Sequence, residues 1–126
     1  MNVNIKDNSI WQTIVDALKL HNFEVYPPAT KKGECKSPYI VVKKDGTALV
    51  PGYSTKYVYY RFLLYVPKNE YHTMDIFEKE VRSVLDTDLF PLLMSTGSGE
   101  PDYYDDNING HMRAFLYRNN VRDKHL

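Results

Sequence analysis

The stretch Tyr57-Val58-Tyr59-Tyr60-Arg61-Phe62-Leu63-Leu64-Tyr65-Val66-Pro67 holds almost nothing but aromatic, β-branched and aliphatic side chains, the types that fit a pleated, packed surface. At about 3.3 Å per residue it crosses a small domain in one pass of roughly 33 Å. By alternation, Val58, Tyr60, Phe62, Leu64 and Val66 share one face; Tyr57, Tyr59, Arg61, Leu63 and Tyr65 share the other. Neither face is plainly polar. This predicts a central strand covered on both sides, or covered on one side and used as an interface on the other. Pro67 has no N–H to give to a ladder and ends the strand.

Upstream, Asp7, Asn8 and Ser9 offer N-cap oxygens ahead of Ile10, Trp11, Ile14, Val15 and Leu18, which recur at helical spacing and predict a helix from about Ser9 to His21. Phe23 to Tyr26 alternates briefly and stops at Pro27-Pro28. A polar, basic loop from Ala29 to Ser37 leads to a strand over Tyr39 to Lys44. Asp45-Gly46 is the strongest short hairpin signal, expected to turn the chain back through Ala48, Leu49 and Val50 before Pro51-Gly52.

Downstream, Lys68 to Thr73 reads as a polar connection, with Thr73 placed to cap a helix over Met74 to Leu85. Met74, Phe77, Val81, Val84 and Leu85 make one apolar stripe, while Glu78, Lys79, Arg82 and Asp86 are expected to point outward. Leu89 to Met94 is apolar around Pro91 and reads as a short strand or an irregular core segment. Ser95 to Gly110 turns polar and lacks periodicity; loops of this length are functional or disordered. His111 to Asn119 reads as a last strand, with Met112, Ala114 and Leu116 on one face and Arg113, Phe115 and Tyr117 on the other.

The 126 residues, 43% hydrophobic and 25% charged, suit one ordinary globular domain that buries roughly two thirds of its unfolded surface. The expected fold is α+β: a mainly antiparallel sheet of four to five strands packed by two amphipathic helices, with a β-hairpin and a long polar loop. The whole chain, 1–126, forms the single domain, with a flexible loop at about 95–110 and a short C-terminal tail at 120–126. A formal net charge of zero argues against long-range attraction to nucleic acid or anionic membrane. The lone Cys35 excludes an internal disulfide and fits a reducing compartment. Met1 to Asp7 has no apolar run, so no signal peptide is expected, and no apolar stretch is long enough to span a bilayer. Eleven tyrosines are many for this length, and tyrosine suits interfaces as well as cores.

Catalytic chemistry is hard to find. His21, His72, His111 and His125 are isolated from one another and from Cys35, with no metal-ligand spacing. Cys35 sits among lysines but has no neighbouring histidine to serve as a base. Gly97-Ser98-Gly99 lacks the lysine and the strand-to-helix setting of a phosphate loop. Glu100, Asp102, Asp105 and Asp106, with Asn107 and Asn109, offer oxygens to a hard cation, but their spacing does not match a calcium loop. A solvated or lumen-facing acidic loop is the favoured reading. Pro101-Asp102 with Glu34-Cys35-Lys36 has the parts of a nuclease site in reversed order. Arg61, Arg113 and Arg118 read as exposed or subunit-bridging charges rather than a phosphate patch. The residues alone describe a small α+β interaction domain, with no catalytic, cofactor-binding or metal-binding residue assigned.

The order of elements carries a resemblance. An amphipathic helix is followed by the Pro-Tyr-Ile-Val-Val strand with its Lys-Asp-Gly hairpin, then the aromatic strand closing on Tyr-Val-Pro. The helix Met-Asp-Ile-Phe-Glu-Lys-Glu-Val-Arg-Ser-Val-Leu and the late strand Gly-His-Met-Arg-Ala-Phe-Leu-Tyr-Arg complete it. From about Ser9 to Asn119 the pattern resembles the tail terminator, or tail completion, proteins of long-tailed bacteriophages and tail-like bacteriocins. The resemblance implies a non-enzymatic subunit of a hexameric ring that caps the tail tube and joins it to the head connector. It implies no cofactor. The implied partners are further copies of the chain, the tail tube protein, the connector or neck proteins and, in a sheathed tail, the sheath. DNA would only pass through the lumen, and no membrane is involved. The expected location is the virion, at the tail or neck, after assembly in the host bacterial cytoplasm. In such a ring Tyr57, Tyr59 and Tyr65, with Asp45 and Gly46 of the hairpin, are the candidate oligomer interface. Glu100, Asp102, Asp105 and Asp106 are the candidate lumen loop. A neck protein of the same particle is the alternative; a small nucleic-acid-binding or metal-dependent nuclease domain is the alternative of a different class.

Overall fold

The computed structural model describes residues 9–122 apart from positions 51, 53 and 54. The possible caps Asp7 and Asn8, the break at Pro51 and the tail beyond 122 lie outside the described residues. Two helices, α1 (Ile10–Leu20) and α2 (Met74–Asp88), accompany six strands: β1 (Val25–Tyr26), β2 (Tyr39–Leu49), β3 (Thr55–Pro67), β4 (Met94–Gly99), β5 (Tyr103–Asp105) and β6 (Gly110–Arg122). The fold is α+β, with one sheet ordered β1-β2-β3-β6-β4 and β5 also paired to β6. The β1–β2 pair is parallel. All the other pairs are antiparallel.

The aromatic stretch is the central strand, flanked by β2 and β6 along its length. Val58, Tyr60, Phe62, Leu64 and Val66 are buried, and with Ile40, Val42, Phe115 and Tyr117 they form the sheet side of the core. Opposite them lie Ile14, Val15 and Leu18 of α1 and the full expected stripe of α2: Met74, Phe77, Val81, Val84 and Leu85. Burial of each such side chain contributes about 1.5–3 kcal/mol. Ser9 caps α1, its Oγ accepting from the Gln12 N–H at 3.0 Å. Trp11 of α1 donates Nε1–H to the Val42 carbonyl at 2.6 Å. That bond covers the edge of β2 just where the two-residue β1 stops pairing.

Several local expectations are corrected. Asp45-Gly46 does not turn the chain. Lys44 pairs with Tyr60 and Thr47 with Val58, so Asp45 and Gly46 together oppose Tyr59, and β2 runs through a bulge to Leu49. Gly46, at φ 102°, supplies the positive φ that the bulge requires. An Asp-Gly pair serves a bulge as well as a turn. The reversal comes later, bracketed by the Val50 N–H to Thr55 carbonyl bond of 3.0 Å.

The stretch 95–110 is largely strand. β4 and β5 both lie along the free edge of β6, so the sheet has six strands where four to five were expected. Met-Ser-Thr-Gly-Ser-Gly has no apolar alternation because it is an edge strand whose side chains bury little. Lys68–Thr73 is a 3-10 helical segment rather than a plain connection. Thr73 does not cap α2; its hydroxyl donates to the Glu70 carbonyl at 2.6 Å. Leu89 to Met94 is irregular apart from its last residue, and Leu89 and Leu93 are buried while Phe90 is exposed.

Candidate functional site

The sheet has two unlike faces. α1 and α2 cover the face of Val58 to Val66. On the other face Tyr57, Tyr59, Arg61, Leu63 and Tyr65 of β3 are half-buried, as are Val41, Met112 and Leu116 beside them. No helix among the described residues packs on this second face, and it carries large apolar and aromatic side chains.

The three tyrosines named from sequence fall into two groups on that face. Tyr65 stacks on Tyr39 with ring centroids 4.7 Å apart and planes 15° apart. Both line a shallow groove with Pro28, Lys31 and Ile108 from the flanking loops and Asp105 of β5. Burial raises the hydroxyl pKa of Tyr39 and of Tyr65, with the Asp105 charge adding to both. Tyr57 and Tyr59 lie at the far end, eight residues or about 26 Å away, with ring centroids 6.3 Å apart. Arg118, opposite Tyr59 in the ladder, lays its guanidinium 4.4 Å from the Tyr57 ring. The Arg118 Nε is buried and has no acceptor among the described residues.

Between the two groups, Arg61 links both expected contact elements. Its Nε and Nη2 donate to Asp45 Oδ2 of the β2 bulge at 3.0 and 2.8 Å. Its Nη1 pairs with Glu100, which follows β4. Asp45, Arg61 and Glu100 thus tie β2 to the β4–β5 link across the second face. The bulge places Asp45 for this contact because the extra residue redirects its side chain toward Arg61.

Asp102, two residues past Glu100, goes to the opposite face. Arg113 Nε donates to its Oδ1 at 2.7 Å and Nη2 to its Oδ2 at 2.8 Å, a bidentate pair. The Tyr71 hydroxyl donates to Oδ2 as well. Arg113 also meets Asp75 at 2.6 Å and Glu78 at 3.0 Å on α2. The Arg113 hydrogen bonds, followed by that from Tyr71, hold the Asp102 carboxyl below the ordinary aspartate range. Glu78 and Arg82, expected to face solvent, instead lie over β6. Arg82 pairs with Glu78 at 2.7 Å and sits 4.0 Å from the Phe115 ring. Tyr117 donates its hydroxyl to Asp86 at 2.8 Å, and burial first, then that bond, push its pKa up to about 12.

Of the candidate lumen carboxylates, then, Glu100 and Asp102 are held by arginines on opposite faces of the sheet. Asp105 accepts from the Asn107 N–H at 2.9 Å. Asp106 is exposed, with no partner among the described residues. The turn carrying them is pinned by Cys35 N–H to the Ile108 carbonyl at 2.7 Å and Lys68 N–H to the Asn109 carbonyl at 3.0 Å. Arg61 and Arg118 share the second face and Arg113 the first, so the three arginines form no single patch. Sequence reading missed the Arg61 bridge and the Tyr71–Asp102–Arg113 cluster. No local spacing marks either one, because the partners lie far apart along the chain and the strand order brings them together.

The groups weighed for catalysis stay apart. Cys35 is buried, its thiol donates to the Ser37 carbonyl at 3.5 Å, and burial raises its pKa. An activated thiolate needs the opposite shift. His21 meets Asp88 at 2.7 Å, and His111 packs between Tyr71 and Tyr104 with Nε2 3.1 Å from the Lys68 carbonyl. Among the described residues no group of three or more histidine, cysteine, aspartate or glutamate side chains is placed to hold a metal ion. No helix among them is long and apolar enough to cross a membrane. Compared with known families the sequence matches no family model, and compared with curated proteins it matches none.

Proposed function

We propose that this chain is a structural subunit of a ring that closes the tail tube of a long-tailed bacteriophage, or of a tail-like bacteriocin, and joins it to the head connector. The observation that carries the reading is the second sheet face. A half-buried row containing Tyr57, Tyr59, Leu63, Met112 and Leu116 lies without a helix layer over it among the described residues, and rings of identical subunits need such surfaces. Tyrosine and arginine are the residue types that anchor interfaces, and this face displays both. The order of elements supports the reading through its resemblance to tail terminators.

In this proposal the second face meets a neighbouring copy, with Tyr57 and Tyr59 as anchors and Tyr65 at the rim. The β2 bulge, through Asp45 and Gly46, borders the same contact. The acidic turn lies toward the lumen, where unpaired carboxylates repel the phosphates of passing DNA. Glu100 and Asp102 already have arginine partners, so this role falls to Asp105 and Asp106. The subunit works in the virion after assembling in the bacterial cytoplasm, and its partners are the tail tube, the connector and its own copies.

The test is co-assembly. Purified chain is added to tail tubes grown without a terminator and imaged in negative stain. Rings seated at one end of each tube support the proposal. Binding to isolated head connectors and not to tubes reassigns the chain to the neck, and binding to neither removes the tail reading.

A further inference from the structure

Arg118 on the second face and Asp106 on the turn after β5 each lack an ion-pair partner among the described residues. Arg61, Arg82 and Arg113 each have at least one carboxylate within 3.0 Å or less. Arg118 has none among the described residues: its guanidinium rests on the Tyr57 ring and its Nε is buried without an acceptor. A buried donor left unmade is costly, more so when charged. At the other end of the same sheet, Asp106 is the carboxylate of the Glu100–Asp106 stretch that has no donor. Its turn borders the groove of Tyr39 and Tyr65.

These two groups cannot meet within one copy. Arg118 lies eight residues along β6 from Gly110, where β5 pairs at Asp105, so about 26 Å of strand separates the two sites. Between copies they can meet. A donor site at one end of a surface and an acceptor site at the other define a heterologous, head-to-tail contact, the kind that builds a ring when the rotation between copies closes and an open filament when it does not.

We propose that the turn at 106–109 of one copy docks on the Tyr57, Tyr59 and Arg118 end of the next, with Asp106 accepting from the Arg118 guanidinium. Tyr57 and Tyr59 form the apolar wall of that seat and exclude water from the ion pair. The inference rests on the ring proposal and names the contact that builds the ring. With Asp106 committed to this contact, the unpaired lumen charge of the turn is Asp105.

The experiment uses charge reversal and mixing. Asp106→Arg lies at an exposed position, and Arg118→Glu is made alongside it; circular dichroism and thermal melting check the fold of each monomer. Assembly is followed by sedimentation velocity over a range of protein and salt concentrations. Each single variant should need about tenfold or more protein to assemble. Wild-type assembly should weaken as salt rises. Mixed one to one, the two variants should assemble again. Alternating copies set native Arg118 against native Asp106 at one seam and the introduced glutamate against the introduced arginine at the next.

Glu80→Lys, a comparable change on the exposed side of α2, should leave assembly as in the wild type. If Asp106→Arg assembles like wild type, the contact is overturned and the ring stands. If only Arg118→Glu fails and the mixture does not recover, the Asp106 pairing is overturned. If wild type stays monomeric both in solution and with tail tubes, the ring proposal and this contact fall together.

Discussion

Arg113 grips both oxygens of Asp102, at 2.7 and 2.8 Å, from the helix-covered face of β6. The link after β4 is thereby fastened to the same arginine that holds Asp75 and Glu78 of α2. Because the folded-state pKa of Asp102 is lowered, its contribution is full above the ordinary carboxylate value of about 4. It is lost as pH falls through the lower folded value. Asp102→Asn should lower the melting temperature by several degrees at pH 7 and flatten the loss of stability below pH 4. Melting curves from pH 7 to 2.5 on both proteins check this; parallel curves would mean that the pair contributes nothing.

The Trp11 indole N–H on the Val42 carbonyl, 2.6 Å, predicts a second outcome. Trp11→Phe keeps most of the apolar contact but leaves that carbonyl without its donor, at a cost of about 1–3 kcal/mol. Urea unfolding should shift by that amount. Light scattering should rise as well, since the uncovered β2 edge is open to pairing with other chains.

Gly110 is needed for close approach rather than for an unusual φ. A Cβ there would lie 2.9 Å from the Cys35 Cβ and 3.2 Å from the Val66 carbonyl oxygen. Gly110→Ala should destabilise the fold by about 1–3 kcal/mol through overpacking. Chemical denaturation reads the loss directly, and a neutral effect would show that the 34–36 loop shifts freely.

Where the sequence announced its structure, burial was the reason. The stripe Met74, Phe77, Val81, Val84 and Leu85 and the alternation of β3 were readable because core contact imposes a strict period on both. β4 was not readable, since an edge strand of serine, threonine and glycine buries little and leaves no periodic trace. Asp45-Gly46 reads equally as turn or bulge because the same positive φ serves both, and only the register against Tyr60 and Val58 separates them. The arginine contacts depend on which strands become neighbours, and that is decided by topology rather than by spacing. Alternation alone names Tyr57 and Tyr59 as candidates, while the buried, unpaired Nε of Arg118 beside Tyr57 is visible only in the structure.

Tyr59→Asp separates core from interface. Tyr59 is half-buried on the second face, opposite Arg118. The variant should fold with nearly unchanged far-ultraviolet circular dichroism, because the new carboxylate lies beside that arginine, and should no longer form higher assemblies. An unfolded monomer would place Tyr59 in the core.

The most direct measurement is native mass of the wild-type chain over a range of concentrations, alone and with tail tubes, supported by negative-stain images. A ring of six gives a species near six times 14.7 kDa, about 88 kDa, with a central hole. A 14.7 kDa monomer at every concentration and on no tube end would contradict it.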